Sequence, residues 1–144
     1  MKRIMILILA LTLGLLVTAT SSKTAGCPNW SSKFDQITNE EVIEKLKTTD
    51  WDKLIADAGG PEAFIAQLKV LRKDAQERLE NADRAAEATK PDSGPVKYDA
   101  TWAECRKKEG GAHKAAKCEH LNMTEMILYI DGAIELAKCR QDQE

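Results

Sequence analysis

The chain reads as an all-α protein, a small helical bundle of about five helices stapled by disulfides, following a cleaved signal peptide. Three observations predict this. The segments after the amino terminus carry apolar residues at three- and four-residue steps, the spacing of a helix face. Helix starts and stops punctuate them: Asp, Thr and Asn before, glycine or proline after. Four cysteines in an otherwise aliphatic and alanine-rich chain make an even set for two bridges.

The opening, MKRIMILILALTLGLLVTAT, places Lys2 and Arg3 ahead of an apolar run and small polar residues behind it. A basic start, a short apolar stretch and a small-residue exit are the pattern of a secretory signal, too short for a stable membrane span. Residues 1–25 are assigned to it, and cleavage after Ala19 or after Ala25 fits. The Thr24–Cys27 stretch ends like a lipoprotein site, but Thr24 replaces the usual Leu and Cys27 lies about ten residues beyond the apolar run. Export to the periplasm or the exterior is therefore expected, with lipidation of Cys27 the less favoured form. Loss of Lys2, Arg3 and Lys23 takes the net charge from -2 to -5. An acidic exported chain is a poor partner for phosphates, so nucleic acid is set aside. Residues 26–144 form one domain's worth of chain, large enough for a single core.

Each helix has its own signals. Thr38 with Glu41 reads as a capping box, and Ile37 with Val42 as the staple around it, opening a helix that ends near Thr48. Asp50 caps a second short helix with Trp51, Leu54, Ile55 and Ala58 inward; Gly59 ends it. Pro61 then opens a helix to about Thr89, with Phe64, Leu68, Leu71, Ala75, Leu79, Ala82 and Ala86 on one face. Asp74–Arg78 and Glu80–Arg84 are spaced to pair on its outer face. Its second half offers little but alanine, so another helix or a partner must pack close there.

Residues 90–97, with two prolines and a glycine, form a linker joining two helical halves. Asp99 is expected to cap a short helix bearing Trp102 and Cys105, and Gly110-Gly111 to turn the chain. Asn122 with Glu125 would cap the last helix, Met123 to Arg140, with Leu121 and Met126 as staple and Ile127, Ile130, Ile134 and Ala137 as its core line.

The window Cys105 to His120 holds two cysteines and both histidines. A zinc site from Cys105, His113, Cys118 and His120 would need short Cys-Cys and His-His spacings that are absent. Exported cysteines oxidise, so disulfides are preferred and no metal site or cofactor is assigned. With Met123 to Arg140 as one helix, Cys118 and Cys139 would stand about 30 Å apart, too far to bond. A Cys105 helix running antiparallel to it would lie near its start, again far from Cys139. Cys105–Cys118 with Cys27–Cys139 is the pairing that survives, contributing in the chain-entropy model about 3 and about 4.7 kcal/mol.

No nucleophile motif, glycine-rich phosphate loop or spaced acidic cluster appears, and Glu40, Glu41 and Glu44 complement a helix start. A non-catalytic role is expected. Two short resemblances add to this. CPNW followed by FDQITNEEVIEKL resembles the opening of exported bacterial ankyrin-repeat proteins over about twenty residues. Lys45 stands where that family has a second cysteine, and no Thr-Pro-Leu-His repeat follows. Trp102, Cys105, Arg106, Gly110-Gly111, Cys118 and Thr124 resemble the tail of small exported proteins that include lysozyme-inhibitor lipoproteins, although Arg106 follows its cysteine here. The sequence thus points to a protein of the bacterial envelope that binds another envelope or secreted protein. The alternative is an inhibitor or immunity protein against a wall-degrading enzyme such as lysozyme. Candidate surfaces are Trp30 with Phe34, the alanine-rich end of the long helix, and the His113 loop.

Overall fold

The computed structural model describes residues 26–144, so the expected signal peptide lies outside the described residues. Among these residues every regular element is helical. A 3-10 turn, Ser32–Gln36, precedes α1 (Glu40–Thr48), α2 (Trp51–Asp57), α3 (Pro61–Thr89), α4 (Trp102–Cys105) and α5 (Gly111–Gln141). None of these helices is long and apolar enough to cross a membrane.

The frame is an antiparallel hairpin of the two long helices. Arg72 meets Asp131, Asp83 meets His120, and Ala86 meets His113, so the register runs in opposite directions. The amino-terminal segment then lies along the far half of α5. Cys27 is bonded to Cys139, Ser31 donates to Glu135 at 2.7 Å, and Thr38 reaches Glu125. A helix packed by α3 on one side and by this segment on another must be apolar over much of its circumference. That is why α5 buries Met123, Met126, Ile130, Ala133, Ile134, Leu136 and Ala137, well beyond one stripe.

The large side chains concentrate at this end. Phe34 stacks on Trp51 with centroids 5.8 Å apart, and Tyr129 lies within 6.3 Å of both rings. Phe34 sits directly over Gly132, where a Cβ would fall 2.3 Å from its ring. Toward the other end the hairpin narrows to small residues, with Ala75, Ala82 and Ala86 of α3 and Ala116 of α5 buried. The close helix required by the alanine face is therefore α5. Leu71 and Leu79, expected inward, are only partly covered.

Several expected caps lie elsewhere. Asn39, not Thr38, caps α1 by accepting from the Glu41 N–H, because the Thr38 N–H and hydroxyl both bond the Glu125 carboxylate. Thr101, not Asp99, caps α4 in a full capping box with Glu104, while Asp99 pairs with Lys117. The last helix starts at Gly111, not beside Asn122, so Asn122 and Glu125 are interior positions rather than caps. Gly110 and Gly111 do turn the chain, at φ 128° and 71°, where only glycine is unstrained. The outer-face pairs on α3 are replaced as well. Arg78 donates to Glu119 of α5 at 2.6 Å, and Arg84 to its own neighbour Asn81.

Both disulfides form, Cys27–Cys139 with Cα atoms 5.8 Å apart and Cys105–Cys118 with 5.6 Å. The Cys27 sulfur is thereby taken, so the thioether to a lipid considered from the sequence has no sulfur to use in this form.

Candidate functional site

The three surfaces read from the sequence have different fates. Phe34 is 1% exposed and belongs to the core, so its assignment to an interface is corrected. The rest of its ring contacts explain this: Trp30 meets it edge-on at 5.2 Å, and Gly132 leaves the space it fills. Trp30 remains half-buried, its indole N–H donating to Asp35 at 2.9 Å. The alanine end of α3 is covered by α5. Of the third surface, residues 106–112 are exposed, at the opposite end of the hairpin from the aromatic cluster. His113 itself lies in the first turn of α5, half-buried against α3, so its assignment to an open loop is corrected.

This loop is built by the Cys105–Cys118 bond. α4 ends at Cys105, five exposed residues follow, and the glycine turn leads into α5, whose eighth residue is Cys118. The Lys114 ammonium folds back to donate to the backbone carbonyls of Lys107 and Glu109, satisfying groups that no helix covers. Between loop and helix lies an open cleft of about 460 Å³, lined by Ala100, Glu104, Lys107, Glu109, Gly110, His113, Lys114, Lys117 and Cys118. Lys117 at its edge holds the Asp99 carboxyl below the usual carboxylate range, chiefly by a hydrogen bond.

His113 is half-buried and faces α3. Its Nδ1 lies 3.1 Å from the Ala86 carbonyl oxygen, which can only accept, so that nitrogen carries the proton. The same N–H approaches the Thr89 hydroxyl at 3.2 Å, whose own hydrogen goes to Ala85. Two turns further on, His120 bonds Asp83 at 2.6 Å and stacks under Tyr98 at 3.8 Å. Desolvation, and then the hydrogen bond to Asp83, push the Tyr98 hydroxyl above its ordinary range. Both histidines thus tie α5 to the end of α3. No free thiol stands beside either, since both sulfurs in the window are joined to each other. The zinc alternative fails on the same bond, since a cystine offers no thiolate.

Two residues have roles that the sequence reading did not give them. Glu125 is 6% exposed, and its carboxylate accepts from the Thr38 N–H and hydroxyl and from the Trp102 indole, joining the amino-terminal segment, α5 and α4. Arg140, 3% exposed, donates to Asp52 at 2.7 Å, to the Pro28 and Leu136 carbonyls, and to Asn29. Their signal in the sequence was a charge on the apolar side of a helix, which Glu125 and Arg140 both show beside Met126 and Ala137. These contacts are structural.

Compared with known proteins, the chain matches no family model, no curated protein and no solved structure.

Proposed function

We propose that the chain is an exported, non-catalytic protein that acts by binding another envelope or secreted protein through the disulfide-closed loop between Cys105 and Cys118. One observation carries this reading. Of the surfaces singled out by sequence, Phe34 and the alanine face are packed against the protein itself and Trp30 is half-buried, while residues 106–112 of this loop are exposed and flank a cleft of about 460 Å³. A loop pinned at both ends by a covalent bond is pre-ordered, so docking there loses little conformational entropy. The two disulfides are compatible with an oxidising compartment outside the cytoplasm.

The test is affinity capture from envelope extract with the oxidised mature chain and with Cys105→Ser/Cys118→Ser. The reading expects a partner retained by the first and lost by the second, with helical circular dichroism unchanged. Equal retention by both chains would remove the loop from the binding role.

A second reading, inhibition of a wall-degrading enzyme, draws on the net charge of -5 and on the exposed Glu40, Glu41 and Glu44 of α1. Such a surface would be steered toward a basic lysozyme, and salt would weaken the attraction. Unchanged lysozyme activity with the purified chain at low ionic strength would end that reading.

A further inference from the structure

We infer that the part of the partner seated at this loop is a short acidic segment. The inference rests on the binding role proposed above and adds the chemistry of the partner. Between Cys105 and Cys118 the chain holds five cations, Arg106, Lys107, Lys108, Lys114 and Lys117, against the single carboxylate of Glu109. The loop is thus +4 on a body that is -5 without its first 25 residues, which leaves -9 for everything else.

Seven of the thirteen cations of residues 26–144 outside this stretch, Lys33, Lys47, Lys53, Lys90, Arg72, Arg78 and Arg140, stand beside a carboxylate. Within it Lys117 pairs with Asp99 and Lys114 donates to two backbone carbonyls, which leaves Arg106, Lys107 and Lys108 as the cations turned to solvent. Arg106, Lys107 and Lys108 are consecutive and exposed. Among the described residues the ammonium groups of Lys107 and Lys108 make no hydrogen bond or ion pair, and Arg106 is 3.9 Å from a Glu41 that is itself 66% exposed. Three adjacent cations would repel one another, and the disulfide and glycine turn hold them together regardless. An acidic ligand relieves that repulsion.

The shape narrows the ligand. A broad anionic surface, such as a bilayer rich in acidic lipid, would meet the carboxylates of the body as well as the loop, within a Debye length of about 8 Å. A narrow acidic segment would lie along Arg106, Lys107 and Lys108, meeting at the edge of the cleft only the carboxylates of Glu104 and Glu109.

The probe is a fluorescent peptide rich in Asp and Glu, compared with its Asn and Gln counterpart and with vesicles containing acidic lipid. The oxidised wild-type chain is expected to bind the acidic peptide, with affinity falling as salt rises, and to ignore the amide peptide and the vesicles. Arg106→Glu/Lys107→Glu/Lys108→Glu should weaken the peptide by at least about tenfold. Reversing Lys69, Lys73 and Lys138, exposed elsewhere and equal in charge change, should leave it within about twofold. Equal losses in both variants, no binding of the acidic peptide, or tighter binding to vesicles would each overturn the inference. A natural partner retained equally by wild type and the loop reversal would overturn it too, while leaving the binding role standing. If oxidised wild type retains no partner, the role itself fails.

Discussion

Removing the Glu125 carboxylate leaves three donors, from Thr38 and Trp102, without an acceptor in a covered place. An unmade bond of this kind costs about 1–3 kcal/mol, so Glu125→Ala should lower stability by about 3 kcal/mol in urea denaturation, and Glu125→Gln by less. Arg140→Met removes the guanidinium's hydrogen bonds to Asp52, to the Pro28 carbonyl and to Asn29, and about 1.5–3 kcal/mol should go. Tyr129 gives a pH signature. Burial pushes its hydroxyl up to about 12. The unfolded chain ionises this group near its ordinary value of 10, whereas the fold keeps it neutral. Stability should therefore be complete below about pH 10 and fall as pH rises from there toward about 12. Tyrosinate absorbance of the folded chain should show the Tyr129 signal only well above pH 10, toward about 12, and ionisation of both tyrosines near 10 in the folded chain would contradict the packing. None of these residue roles was legible in the sequence. Glu125 has the spacing of a cap, and only tertiary contact reveals that its carboxylate is spent elsewhere.

The helices themselves were more legible than their ends. The α3 boundaries follow from Pro61 before and Lys90-Pro91 after, because proline fits a first turn and ends the helix before it. The start of α5 was not legible, since His113 to Leu121 carries lysines and alanines with no clear stripe. That weak pattern has a physical cause: part of this stretch packs on alanines of α3, and part faces the loop. Gly132 marks the closest approach in the helix. Gly132→Ala would gain about 1 kcal/mol from helix propensity alone. Here the added methyl meets the Phe34 ring, which is held against Trp51. The clash should win, with a net loss of about 1–3 kcal/mol and a change in tryptophan fluorescence. A more stable Gly132→Ala would mean that Phe34 is not seated there.

The whole molecule depends on two closures of very different span. Cys27–Cys139 joins residues 112 apart in sequence, and Cys105–Cys118 residues 13 apart. In the chain-entropy model their removal costs about 4.7 and about 3 kcal/mol. Cys27→Ser/Cys139→Ser should melt lower than Cys105→Ser/Cys118→Ser, and only the second should disturb the loop and its cleft. The pairing was legible because a rigid helix separates Cys118 from Cys139, whatever its exact start. The exposed basic loop was legible only as a cluster of lysines. That it stands clear while Phe34 and the alanine face do not depends on how the amino-terminal segment and α5 pack.

The most direct test of this clamped architecture is the intact mass of the exported chain, taken before and after reduction and followed by a non-reduced peptide map. The account predicts a mature chain without residues 1–25 or 1–19, carrying no lipid and gaining four hydrogens on reduction. Its map should link Cys27 to Cys139 and Cys105 to Cys118. A lipid-bearing Cys27, a free thiol, or a link from Cys105 to Cys139 would contradict it.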